Sequence, residues 1–325
     1  MERRLWGERP YYSLDYYFKS VYGTKLYKIA IDGGMTCPTR DGSIDTDGCI
    51  FCSAGGSGEF AASVCVKDEP DIHRQIDLGI EQIREKSPYG PYIAYFQPFT
   101  NTYAPVSCLR KIYTAALSHP GIAGLSIATR PDCLGEDVLA LLEELRECYP
   151  SQFIWVELGL QTIHRETIQY IRRGYENSVF EKAIHDLYSI RIPSIVHVIL
   201  GLPGETKEQM LTTIEYLNTF PIFGIKLQLL HVLSGTDLAI DFAQRKFDIL
   251  TLEEYTEILL ACVNSLSPET VIHRLTGDGP KDLLIAPTWS LNKKAVLNHI
   301  HKEMRERNVW QGKKYTAGDT VPPIL

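Results

Sequence analysis

The sequence predicts an α/β chain whose strands form a full or partial βα barrel. Three observations carry that reading. Short apolar, β-branched runs alternate with longer segments of helical spacing, at least six times in series. The strand runs are apolar almost throughout, as in a parallel sheet covered by helices. Polar residues gather just after the strands, where βα barrels hold their chemistry. An open parallel sheet is the alternative. No GxGxxG follows the first strand, so a dinucleotide-binding fold has little support.

The elements follow in order. LYKIAI (26–31) reads as a strand and leads into a cysteine-bearing loop. PDIHRQIDLGIEQIREK (70–86) is helical, with acids early and a base late. YIAYFQ (92–97) is a strand, 104–119 a helix, GLSIATR (124–130) a strand and 135–149 a helix. FIWVELGLQ (153–161) is a strand, and 164–190 is one helix or two. PSIVHVILGLP (193–203) is a strand, 207–220 a helix and GIKLQLLHV (224–232) a strand. A helix (252–266), a short strand (270–277) and a basic helix near 290–307 complete the series. This divides the chain into an N-terminal segment (1–25), a core barrel (26–235) and a C-terminal α/β extension (236–325).

A chain of 325 residues can bury a substantial core. No run of about eighteen apolar residues appears, so no membrane association is expected. The start, MERRLWGERPYYSLDYYF, lacks the apolar stretch of a secretory signal, which makes a cytoplasmic location the expectation. The net charge of −7 does not favour nucleic acid globally. From Lys281 to Leu325, however, eight Lys/Arg face four Asp/Glu, which reads as a solvated helix face or as a contact for phosphates.

Three of the eight cysteines cluster as C-x11-C-x2-C: Cys37, Cys49 and Cys52. A structural zinc would need a fourth ligand, which Cys65 or His73 could supply. A disulfide is a second option. The third is a four-iron cluster held by three thiolates, with one iron left open.

The run CPTRDG…GCIFCSAGGSGEF, together with YFQPFTNTY, ATRPDCL, ELGLQT, RRGY, HVILGLPGET and RLTGDGP, resembles the radical S-adenosylmethionine (radical SAM) superfamily. The long first gap is similar to that of its Elongator-like branch, and the compactness to the YhcC/YtqA-type family within it. Thr39 stands where that family has Asn. The resemblance implies a partial (β/α)6-type radical SAM barrel and a [4Fe-4S] cluster on Cys37, Cys49 and Cys52. It implies S-adenosylmethionine on the open iron, reductive cleavage to a 5′-deoxyadenosyl radical, and a reductase, flavodoxin or ferredoxin as electron donor.

By the same resemblance, the loop holding Gln97, Thr100 and Asn101 meets the cofactor's amino group, and Thr129 ends the next strand. Gln161 and Arg173 match a Gln and Arg that contact S-adenosylmethionine in porphyrinogen oxidase relatives, Arg173 through the carboxylate. His197 stands where relatives place a ribose-binding Asp, and Gly201 opens the loop on the adenine side. Turn chemistry, a surface arginine and a core histidine are the plainer readings of these residues. From the residues alone, Glu157 points into the barrel and needs a partner. His273, Arg274 and Asp278 end a late strand and face the substrate or form a loop network, and Cys133 is the thiol best placed to act on substrate.

Three functions remain open at this stage. The Elongator-like branch implies modification of the C5 side chain of the tRNA wobble uridine, with aromatic side chains to stack a flipped base. A small-molecule radical substrate suits the acidic charge. A non-catalytic iron–sulfur or zinc scaffold would have no need of polar strand ends.

Overall fold

The computed structural model describes residues 4–56, 58–59, 61, 64–66, 69–85, 90–277 and 279–316. Seven parallel strands form one sheet in strict chain order: β1 (Tyr27–Ile31), β2 (Tyr92–Phe96), β3 (Ile122–Thr129), β4 (Phe153–Gln161), β5 (Ser194–Leu200), β6 (Gly224–Leu229) and β7 (Val271–Arg274). Each pairs with its sequence neighbour, and β1 and β7 stand at opposite edges, so the sheet is a curled half-barrel. The expected partial barrel is therefore observed, with the short late strand added as a seventh.

Ten helices are described: α1 (Leu14–Tyr22), α2 (Ile72–Ile83), α3 (Val106–Ser118), α4 (Glu136–Cys148), α5 (Arg165–Tyr170), α6 (Asn177–Ser189), α7 (Lys207–Leu217), α8 (Asp237–Ala243), α9 (Leu252–Ser265) and α10 (Lys293–Glu306). Their starts follow capping chemistry. Thr206 and Thr251 form capping boxes with Gln209 and Glu254, and Asp71 caps α2. The segment 164–190 is two helices. Between them Arg172 (φ 55°) and Gly174 (φ 81°) turn the chain with left-handed backbone, which a continuous helix cannot contain.

Strand alternation sorts the core into two sides. On β4, Ile154, Val156, Leu158 and Leu160 pack beneath the helices, while Trp155, Glu157, Gly159 and Gln161 face the barrel interior. The lowest interior layer is aromatic. Tyr17 and Phe18 of α1 meet Trp155, Phe223 and Ile93, and Phe18 stacks on Trp155 at 5.7 Å. The N-terminal segment thus plugs the barrel at the N-terminal end of the strands. Among the described residues, no helix is long and apolar enough to cross a membrane.

Candidate active site

A cavity of about 760 Å3 fills the C-terminal end of the half-barrel. Cys37, Cys49 and Cys52 all line it. The loop that presents them departs from β1 and is held by its own backbone. Arg40 N–H donates to Cys37 O (2.8 Å), Gly48 N–H to Thr39 O (2.8 Å) and Cys52 N–H to Cys49 O (3.0 Å). Arg40 Nη2 ties the loop's far side through Cys52 O (2.8 Å) and Ser53 O (2.7 Å). Thr39 is buried, with its hydroxyl 3.1 Å from Cys37 Sγ.

All eight cysteines are free thiols. Burial pushes the Cys49 thiol up to about 12, so it becomes a thiolate only against a positive partner. Among the described residues, no three His, Cys, Asp or Glu side chains converge tightly enough to hold a single ion. Three thiols lining one cavity are the donor set that a multi-iron cluster would take. Gln161 supports a bound partner here too. It lines the cavity with φ 62°, and its buried Oε1 finds no hydrogen-bond partner among the described residues.

Gln97, Thr100, Thr129, His197 and Arg274 also line the cavity, as does Glu157. Thr129 Oγ1 pairs with Thr102 Oγ1 at 2.6 Å.

Five other expected residues are placed differently from these. Arg173 reaches the cavity, but its guanidinium is already occupied. It donates to the carbonyls of Leu160 (3.0 Å), Thr162 (2.8 Å) and Tyr175 (3.1 and 2.8 Å) and to Asn177 Oδ1 (2.9 Å), so it offers no open fork to a carboxylate. Asn101 is fully buried and spends its amide on the carbonyls of Phe96, Pro98 and Ala128, so it shapes the loop. Gly201 does not line the cavity. Its φ of 89° makes the turn, and an added Cβ would meet Leu250 Cδ1 at 2.8 Å. Cys133 lines a second cavity of about 610 Å3 instead, with Pro38, Ser43, Thr102 and Asp137, and burial raises its thiol to about 12. His273 lies in the interior beneath the mouth, edge-on to Trp155 (5.5 Å) and Phe223 (5.7 Å), where burial keeps its ring neutral. Asp278 lies outside the described residues.

The interior layer above the aromatic plug holds charge. Glu157 is wholly buried and accepts from Lys28 Nζ and Lys226 Nζ. His197 Nε2 lies 2.6 Å from its second oxygen, and Ser126 donates to the first. Burial would raise the Glu157 carboxyl, but the two lysines and His197 outweigh it and hold the carboxyl well below the usual range. Burial, with Lys226 nearby, lowers His197 to about 4. Burial also lowers Lys226 to about 7 against the pull of Glu157. Sequence reasoning missed Lys28 and Lys226. The signal was present, since each stands inside an otherwise apolar strand run, where an ammonium is costly unless paired. It also missed Arg130, which pairs twice with Asp132 (2.9 and 2.7 Å) beside the cysteines.

The basic C-terminal region is less open than its composition suggests. Val296, Ile300 and Met304 bury one face of α10. Arg307 pairs with Glu303 (2.7 Å), and Gln311 is buried on the N-terminal segment. Among its described residues, only its beginning reaches the mouth, through Leu291 and Lys293, with Lys281 beside them.

A half-barrel with three thiols over its mouth defines a class, and comparison with known proteins names it. The sequence pattern of the Radical SAM superfamily matches residues 46–217, and that of the Radical SAM C-terminal domain matches 222–306. The chain belongs to the radical SAM superfamily. It is 40% identical over 306 residues to the uncharacterized protein YtqA of Bacillus subtilis, covering 94% of this chain and 93% of YtqA. A shorter likeness, 27% over 165 residues, runs to the tRNA uridine(34) acetyltransferase of Methanocaldococcus jannaschii, over 50% of this chain and 29% of that protein. The solved Elp3 of Methanocaldococcus infernus, with an N-terminal deletion, shares the fold at a TM-score of 0.65 and 18% identity, over 88% of this chain and 64% of that one. Members of this superfamily bind a [4Fe-4S] cluster and S-adenosylmethionine.

Proposed function

We propose that this chain modifies the C5 side chain of the tRNA wobble uridine by radical chemistry in the barrel mouth. The observation that carries the substrate is the sequence likeness to a tRNA uridine(34) acetyltransferase over half of this chain. Cys37, Cys49 and Cys52 would hold the cluster, and Gln161, Gln97, Thr100 and Thr129 would meet S-adenosylmethionine. When bound, these groups supply a 5′-deoxyadenosyl radical that abstracts hydrogen from the substrate. An electron-donor protein of the flavodoxin, ferredoxin or reductase class supplies the electron.

The chain's own residues position and shield. The α1 plug seals the far end of the barrel and keeps water from entering behind the substrate. A cavity of about 760 Å3 can take a cofactor and a flipped nucleoside together. Phe99 offers an aromatic wall for a base, and Lys281 and Lys293 at the rim meet phosphates.

Nucleoside mass spectrometry on total tRNA from a deletion strain and its parent tests this. Loss of a wobble-uridine species, with a precursor accumulating, is the expected result. An unchanged profile in expressing cells would discard the tRNA reading and favour a small metabolite.

A further inference from the structure

The floor of the mouth carries more positive than negative charge. Every strand contributes a polar group to this layer: Lys28 from β1, Tyr95 from β2, Ser126 from β3, Glu157 from β4, His197 from β5, Lys226 from β6 and Arg274 from β7. Lys28 holds one oxygen of Glu157 and Lys226 the other. Two ammonium groups therefore share one carboxylate. Neutral His197 and His273 add no charge, and Arg274 presses on both lysines from the side. The Tyr95 ring lies under both ammonium groups, 4.4 Å from Lys28 Nζ and 4.7 Å from Lys226 Nζ, and it eases but does not cancel the excess.

The cluster is largely buried. The Lys226 side chain is 5% exposed and that of Glu157 0%, while Lys28 is 22% exposed. A structural ion pair needs one lysine, and a second unmatched ammonium in such a place is costly. Both lysines also line the cavity, so the missing counter-charge can arrive from it.

We propose that Lys28 and Lys226 form a subsite for a carboxylate carried by the substrate. Against Glu157 the two lysines leave one positive charge over, which a monoanionic carboxylate matches. The substrate's reacting carbon is thereby held between this floor and the cysteine loop, which leaves β1 three residues beyond Lys28. The proposal rests on the mouth being where substrate reacts, but it does not require that substrate to be tRNA. Because Lys226 sits near neutrality, binding takes up a proton above about pH 7 and weakens as the solution becomes alkaline.

The test is calorimetric titration of acetate into cluster-loaded protein saturated with S-adenosylmethionine, with chloride balancing ionic strength and phosphate titrated in parallel. Saturable acetate binding is expected. Lys28→Met and Lys226→Met each weaken it by about ten-fold or more, with iron content and S-adenosylmethionine affinity unchanged. Glu157→Gln removes the resident competitor and tightens acetate binding at pH 6. Should a single lysine variant fail to fold, Lys28→Met/Lys226→Met/Glu157→Gln leaves no buried ion behind and must lose acetate binding. The proposal is overturned if acetate shows no saturable binding, displaces S-adenosylmethionine, binds more weakly than phosphate, or binds the lysine variants as well as the parent. None of these readings depends on the tRNA profile, so the two proposals fail separately.

Discussion

Glu157 of β4 and Lys226 of β6 are bonded across the barrel interior, although β5 lies between their strands in the sheet. The curl of the half-barrel brings them together, since in a flat sheet two strand spacings would separate them by about 10 Å. The pair ties the two halves of the sheet through its core. Removing one partner leaves a buried charge without compensation. Glu157→Ala is expected to destabilise the fold by about 3–5 kcal/mol, read by urea unfolding with far-UV circular dichroism. Glu157→Gln costs less, because its amide oxygen still accepts from a lysine. Equal midpoints for parent and Glu157→Ala would refute a structural role for the cluster.

The same layer sets the pH profile of stability. His197 titrates near 4 in the fold against an ordinary 6.5, so the unfolded chain takes up a proton first as pH falls. Stability therefore drops between pH 6.5 and 4, by at most about 3 kcal/mol. Glu157, depressed below its ordinary 4.5, adds to the loss at lower pH. Lys226 acts in the same direction at higher pH. It titrates near 7 against an ordinary 10.5, so stability rises between those values as the unfolded chain gives up its extra proton. His197→Gln should flatten the acid limb and Lys226→Met the alkaline limb. A parent profile flat from pH 4 to 6.5 would contradict the buried, neutral imidazole.

The half-barrel was legible because seven parallel strands, buried on both sides, leave apolar runs that nothing else in the chain imitates. Helix α1 was not legible. LDYYFKSVY has too many aromatics for a simple amphipathic pattern, and its place is fixed by Trp155 and Phe223, far away in sequence. The site was half legible. Cysteine spacing pointed to one locus, and the three thiols share one cavity. Polar residues after strands were harder to read, because the same residue types hold ligands and hold loops. Arg173, Asn101 and Gly201 serve the backbone, and only three-dimensional neighbours show it. Lys28 and Lys226 were readable in principle as ammonium groups within apolar strands. Their shared partner Glu157, 129 and 69 residues away, was not.

The cysteines separate cleanly by position. Cys49→Ala removes a thiol from the mouth and is expected to abolish both the brown colour of the cluster and the formation of 5′-deoxyadenosine, while the barrel stays folded. Cys133→Ser, in the neighbouring cavity, should leave iron content and cofactor cleavage at the parent's level. Iron and sulfide analysis with visible absorption reads both. A full cluster in Cys49→Ala would end the ligand assignment.

Gln161 and Arg173 are expected to part in the same way. Gln161 lines the cavity and its buried Oε1 has no partner among the described residues, so Gln161→Ala should weaken S-adenosylmethionine binding by about ten-fold and barely change the melting temperature. Arg173→Ala leaves the carbonyls of Leu160, Thr162 and Tyr175 without their donor, and should lower stability by about 2–4 kcal/mol. Equilibrium dialysis with labelled cofactor and thermal unfolding distinguish them. If Arg173→Ala melts like the parent and loses the cofactor, the guanidinium rearranges on binding.

The rim lysines carry the last expectation. Lys281 and Lys293 line the mouth, whereas Arg307 is paired on α10 and Arg305 stands at its far end. A helix of fourteen residues spans about 21 Å, so its two ends cannot serve one phosphate. Lys281→Ala/Lys293→Ala should therefore weaken tRNA binding several-fold and reduce the salt dependence by about one unit of slope for each phosphate no longer neutralised. Arg305→Ala/Arg307→Ala should change neither. Filter binding across a salt series decides between them. An equal loss in both variants would mean that RNA lies along the whole of α10, and a loss only in the second would place the tRNA body away from the mouth.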